Sequence, residues 1–86
     1  MMPVTILYFA HVRELVGLSS ESVHLPPDIH TVADLADWLA KRSDGHAAAF
    51  VDPSRLRVAL DQIMSCFDQP LDGALEIAFF PPVTGG

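Results

Sequence analysis

The sequence predicts an α+β fold, a mixed sheet of about five short strands with one main helix packed across it. Three observations predict it. Runs rich in β-branched and aromatic residues stand near both ends of the chain, PVTILYFA at the start and ALEIAFF at the finish. Between them, TVADLADWLAKRSDG carries apolar residues at helical spacing behind a capping sequence. The chain has 86 residues, 50% of them hydrophobic, which is enough for one core and one domain.

Residues 3–10 read as the first strand. Val4, Ile6 and Tyr8 face one way and Thr5, Leu7 and Phe9 the other. Both faces are mostly apolar, which places this strand inside the sheet. HVRELVG follows, with Val12, Leu15 and Val16 at helical spacing and Gly17 as a stop, so a short helix or helical turn is expected. Residues 21–25 alternate well enough for a second strand, which Pro26 and Pro27 end.

The main helix is expected over residues 31–45. Thr31 is a natural N-cap, and Asp34 stands three residues on, where a capping box takes an acid. Asp34 and Asp37 near the start, and Lys41 and Arg42 in an expected last turn, suit the helix dipole. Val32, Leu35, Ala36 and Leu39 form the apolar stripe, Gly45 the exit, and HAAAFV a further short turn. Residues 55–60 read as a third strand, Asp61 and Gln62 as a turn, and residues 63–67 as a short fourth strand. DQPLDG is a loop or a turn of 3₁₀ helix, and residues 74–80 are the last strand.

Five Lys and Arg stand against eleven Asp and Glu, for a net charge of -6. Phosphate backbones repel such a surface, so no nucleic-acid partner is expected; a protein partner with a basic field suits it better. The N-terminal MMPVTILYFA has no basic leader and its apolar run breaks within ten residues, so it reads as a strand rather than a signal peptide or a membrane span. A single cysteine, Cys66, excludes an internal disulfide, and a reducing cytoplasm is the expected location.

The sequence contains no phosphate loop, no paired-acid motif and no nucleophile with a readable base. His11, His24, His30 and His46 lack metal-ligand spacing; surface or turn positions are expected for all of them, with no metal. Cys66 reads as a small apolar residue in the fourth strand, with a persulfide relay as the alternative; no cation adjoins it in sequence to activate its thiol. Asp61, Asp68 and Asp72 read as solvated turn formers.

The end of the chain, FFPPVTGG, raises a different question, because a tail made for solubility would carry charge. One reading makes it a frayed terminus. The other is mechanical. Pro81 and Pro82 hold the chain extended beyond the sheet, and β-branched Val83 and Thr84 favour the same geometry. Gly85 and Gly86 fit a slot that excludes any side chain. From Pro81 onward, six residues span at most ~20 Å, enough for the terminal carboxylate to enter another protein's buried site while the body docks outside. Residues 1–82 are therefore expected as the folded domain and 83–86 as an extended tail.

YFAHVRELVG at residues 8–17 and FDQPLDGALEIAFFPPVTGG at residues 67–86 complete a pattern that resembles the sulfur-carrying small subunits of molybdopterin synthase, ubiquitin-like proteins of β-grasp fold. The resemblance covers nearly the whole chain. It implies that the first and last strands lie parallel in the middle of the sheet. It implies that Gly86 carries the sulfur beside Gly85, first as a glycyl adenylate and then as a thiocarboxylate (1-thioglycine), with no bound cofactor. The sulfur would then pass to cyclic pyranopterin monophosphate to build the molybdopterin dithiolene. The implied partners are a large subunit in a heterotetramer, a ubiquitin-activating-type adenylating enzyme and a persulfide sulfurtransferase. The protein would be enzymatic only as a subunit, with no active site of its own.

Carried over residue by residue, Phe9, Met64 and Phe80 match an apolar patch facing the large subunit, and Arg13 matches a residue that pairs with a partner acid. Pro81, Pro82, Val83 and Thr84 match the segment that enters the partner. From the residues alone, core packing remains the alternative for the three patch positions, and an internal surface salt bridge for Arg13. The family commonly has Val-Asn-x after the third strand where this chain has Leu60-Asp61-Gln62. A thiamin-type or cysteine-type sulfur carrier, a ubiquitin-like modifier, and a binding module with an inert tail are the competing functions.

Overall fold

The computed structural model describes residues 3–82. They form β1 (Val4–Tyr8), α1 (Ala10–Val16), β2 (Ser20–Val23), α2 (Val32–Ala40), α3 (Asp44–Ala49), a 3₁₀ turn (Pro53–Arg55), β3 (Arg57–Leu60), β4 (Ile63–Ser65) and β5 (Glu76–Phe80). The strands make one mixed sheet in the order β2-β1-β5-β3-β4. β1 and β5 are parallel and the other neighbours antiparallel. This is the β-grasp arrangement expected above. A parallel pair needs a long crossover, and nearly the whole chain between β1 and β5 supplies it.

One sheet face carries the core. Ile6 and Tyr8 of β1, Val58 of β3, and Ile77 and Phe79 of β5 join Val12 of α1, Val32, Leu35 and Leu39 of α2, and Phe50 in one buried cluster. Phe50 meets Phe79 edge to face, with ring centroids 4.9 Å apart at 89°. The capping signals behave as read. The Thr31 side chain accepts from the Asp34 amide, the Asp34 carboxylate accepts from the Thr31 amide, and Gly17 ends α1 at a φ of 86°. Its two hydrogen bonds from the His30 and Thr31 amides hold the Asp34 carboxyl below its usual range.

The main helix is shorter than expected. α2 stops at Ala40, Lys41 caps it, and Lys41 and Arg42 lie outside its last turn. Ser43 starts a new helix, α3, by accepting the His46 amide on its own hydroxyl. Gly45 is therefore inside α3 rather than an exit. It packs so closely on α1 that any Cβ there would collide with the Leu15 carbonyl. The strand ends also move: His24 and Leu25 lie outside β2, Arg55 lies in the 3₁₀ turn, and Ala74 and Leu75 precede β5. Phe9 lies just beyond β1 as the N-cap of α1. Cys66 is an exposed residue beyond β4, not a strand residue.

Candidate functional site

The second face of the sheet is built by the same alternation that builds the core. With Ile6, Tyr8, Val58, Ile77 and Phe79 facing the helices, Leu7, Ala59, Ala78 and Phe80 face the opposite way. Pairing runs from Leu7 to Ala78, from Ala78 to Ala59 and from Ala59 to Met64, so these residues make one row across four strands. None of them packs into the helix-covered core, although Ala59 and Ala78 are buried by their neighbours. Two alanines at the centre leave the face low, with larger side chains around it.

Phe9 is 48% exposed. Its extended backbone, φ -123° and ψ 151°, continues the alternation of β1 and puts the ring on the Leu7 side. Its amide donates to the Phe79 carbonyl at 3.1 Å, which ties it to the end of β5. Met64 is 62% exposed, and Phe80 is half-buried, opposite Arg57 in the register. The three patch positions named from the sequence thus stand outside the core and border one apolar face. Leu7, Ala59 and Ala78 complete that face. Leu7 had the right alternation to be named with Phe9, whereas the alanines offered no signal of their own.

Pro81 and Pro82 follow directly from β5 at this end of the sheet. Val83, Thr84, Gly85 and Gly86 lie outside the described residues. Arg13 is exposed on α1, and the intrachain salt bridge weighed for it is absent among the described residues. Those residues also contain no cluster of three or more His, Cys, Asp or Glu able to hold a metal, and no helix long and apolar enough to cross a membrane.

Polar groups hold this end of the sheet in place. Glu21 of β2 accepts hydrogen bonds from the Tyr8 hydroxyl and from His46 Nε2, both at 2.7 Å, and its other oxygen accepts from Arg42 at 3.1 Å. His46 is only 5% exposed, which corrects the expectation that all four histidines lie at the surface or in turns. Ser43 Oγ lies 2.7 Å from His46 Nδ1 while also accepting the His46 amide. One arrangement satisfies every group: the hydroxyl donates to Nδ1, and Nε2–H donates to Glu21. Partial burial alone would raise the Glu21 carboxyl; hydrogen bonds from His46 and Tyr8 and the Arg42 charge outweigh it and hold that carboxyl below its usual range. Burial, then the adjacent Glu21 carboxylate, pushes the Tyr8 hydroxyl far up. Tyr8 is the residue before Phe9, so this network fixes the point where the apolar face meets α1.

Asp61 anchors the far end. Asp61 and Gln62 both have positive φ, 49° and 71°, as a two-residue hairpin loop of this hand requires. Asp61 Oδ1 accepts from the Leu75 and Glu76 amides, each at 3.0 Å. The expected solvated turn former is thus also the group that starts β5.

The fold and the face define a small ubiquitin-like β-grasp protein with an apolar sheet surface beside Pro81 and Pro82. Its sequence matches the ThiS family over residues 6–86, and the chain belongs to that family. It is 43% identical over 83 residues to the molybdopterin synthase sulfur carrier subunit of Escherichia coli (strain K12), covering 96% of this chain and 99% of the relative. Identity is 36%, with the same coverage of both chains, to the protein of the same name from Haemophilus influenzae. Among solved structures, it is similar to a putative molybdopterin converting factor, subunit 1, from Pyrococcus furiosus. That likeness has a TM-score of 0.74 at 27% identity and covers 96% of this chain and all of the other.

Proposed function

We propose that this protein is the sulfur carrier subunit of a molybdopterin synthase and that Gly86 is its working residue. The observation that carries the reading is that the family match runs to the last residue, Gly86, in a chain whose full-length relatives are named for that role. An ionised carboxylate is a poor electrophile at neutral pH, so it must be activated first. An adenylating enzyme joins it to AMP and releases pyrophosphate. A persulfide sulfurtransferase supplies the sulfur that displaces AMP, and thiol cleavage of the sulfur–sulfur bond leaves a thiocarboxylate. That sulfur is a good nucleophile which hydrolysis would waste, and a thin tail delivers it into a water-excluding pocket of the large subunit. There it attacks cyclic pyranopterin monophosphate and replaces a carbon-bound oxygen, hydrolysis of the thioester so formed returns the Gly86 carboxylate, and two such transfers complete the dithiolene. No cofactor is held by the carrier itself, and the chemistry belongs to the cytoplasm.

The body has a separate task in this scheme. Phe9, Met64 and Phe80, with Leu7 and the two alanines, dock on the large subunit; Arg13 meets an acid there; and Pro81 to Thr84 occupy the entrance. The test is the intact mass of the chain after incubation with the adenylating enzyme, ATP and a persulfide donor, followed by molybdopterin formation with the large subunit. One terminal oxygen is replaced by sulfur in the intact chain. A chain lacking Gly86 makes no molybdopterin and melts at the same temperature. Molybdopterin formation by the truncated chain overturns the proposal.

A further inference from the structure

The open face of the sheet is apolar at its centre and charged at two opposite margins. The strands carry only Glu21, Arg57 and Glu76 as charged residues. Glu21 turns to the helix side, where Tyr8 and His46 hold it. Arg57 flanks buried Val58 and so shares the side of Ala59, away from the helices. Glu76 flanks buried Ile77 and shares the side of Ala78. Arg57 stands opposite Phe80, at the end where Pro81 and Pro82 leave the sheet. Glu76 begins the same strand that Phe80 ends, about 13 Å away along it.

Neither charge is matched within the sheet. Arg57 is exposed, and its guanidinium donates to the Leu56 carbonyl at 3.1 Å. Neither Arg57 nor Glu76 forms a salt bridge among the described residues. Asp61, whose amide donates to the Glu76 carbonyl, adds a second carboxylate at the Glu76 margin. At the Arg57 margin the neighbours are the rings of Phe80 and, one strand further, Phe9. The groove on the helix side of that end is lined by both Asp52 and Arg55 and selects neither sign. The open face, by contrast, has a cation at one end and anions at the other.

We propose that Arg57 and Glu76 are specificity-determining contacts for the large subunit, which sets a carboxylate on Arg57 and a basic side chain on Glu76 as it covers the open face. The inference rests on the sulfur-carrier reading and adds the chemistry of the surface that the large subunit presents. Covering the face takes both charges out of water, and a charge buried without a partner opposes binding. A carboxylate accepts two parallel hydrogen bonds from a guanidinium, a match that a lone carbonyl does not offer. The polarity also admits one orientation. Turned end for end, the same partner would bring its acid to Glu76 and its base to Arg57, and both pairs would repel. Only the attractive arrangement aims Pro81 and Pro82 at the partner's opening.

The experiment measures the affinity of the purified chain for the large subunit at low and high salt. Arg57→Glu binds about thirtyfold more weakly than wild type at low salt and Arg57→Gln about fivefold, and both gaps narrow at high salt. Glu76→Lys binds about tenfold more weakly and Glu76→Gln about threefold. Lys41→Glu, which reverses an exposed cation beyond α2, changes affinity less than about twofold. Melting curves like that of wild type confirm the folds. Where a reversed variant melts early, the neutral Gln variant decides, by whether its binding weakens and depends less on salt. An Arg57→Glu chain that binds like wild type, or no more weakly than Arg57→Gln, overturns the carboxylate at the Pro81 end. A Glu76→Lys chain that binds like wild type, or no more weakly than Glu76→Gln, overturns the basic group at the other. Both results leave the carrier reading standing so long as wild type binds the large subunit and delivers sulfur. A wild-type chain that does not bind the large subunit overturns both.

Discussion

Phe79 and Phe80 are neighbours in one strand with opposite surroundings. Phe79 points to the helices, is fully buried, and meets Phe50 at 4.9 Å. Phe80 points to the other face and stays half-exposed, with no helix-side partner. The two faces of the sheet differ in the same way. Both are apolar, but among the described residues only one is covered. An apolar side chain on the covered face stabilises this fold. One on the open face contributes little to it and is available to a second protein. The open face borders Pro81 and Pro82, which follow β5; under the carrier function proposed above, the chain's end would be loaded and unloaded without disturbing the core.

Three substitutions sharpen that contrast. The largest effect on stability is expected for Phe79→Ala, which empties a packed site and costs about 3–5 kcal/mol in urea unfolding. In a domain this small, that is a large share of the total. A loss below about 1 kcal/mol would contradict the core assignment. Phe80→Glu comes next and acts elsewhere. Its melting curve and circular dichroism stay close to wild type, while binding to the large subunit weakens by about 2 kcal/mol or more, since a charge is buried without a partner. Unfolding of Phe80→Glu would erase the distinction between the faces.

The smallest expected effect is at the polar network. Glu21→Gln keeps the shape but removes the charge that faces Arg42, Tyr8 and His46, and costs about 1–2 kcal/mol at neutral pH. The Glu21 carboxyl is held below its usual range in the fold, so in acid the unfolded chain binds more protons than the folded one. Its stabilising contribution is complete above the ordinary glutamate value of about 4.3 and is lost as pH falls through the lowered value. Urea titrations across that window should show a shallower acid loss in Glu21→Gln than in wild type. Some slope persists, because the Asp34 carboxyl is shifted in the same direction. Equal slopes in the two proteins would remove Glu21 as the source.

Much of this architecture was local and therefore legible. The Thr31 and Asp34 capping box, the left-handed Gly17 and the β-branched runs of β1 and β5 each depend on residues within a few positions of one another. The chemistry proposed for the chain's end is different: its prolines and glycines suggest a thin extended probe, and the family resemblance implies the rest. The sequence by itself also determined that two apolar faces exist on β1, because alternation is a property of the strand alone.

Which of those faces would be covered was decided by the tertiary structure. The row from Leu7 through Ala78 and Ala59 to Met64 comes from three different strand pairings, and no stretch of sequence contains it. His46 is buried because Glu21, 25 positions away, offers its carboxylate at 2.7 Å; a histidine's own neighbours carry no sign of that. The break between α2 and α3 has the same origin. Helix propensity runs through Lys41 and Arg42, but Arg42 turns back to Glu21 and Ser43 caps a new helix that packs on α1. The long-range partner wins because hydrogen bonds between charged and buried groups outweigh the few tenths of a kcal/mol, about 0.2–0.7, that separate one residue's helix propensity from another's.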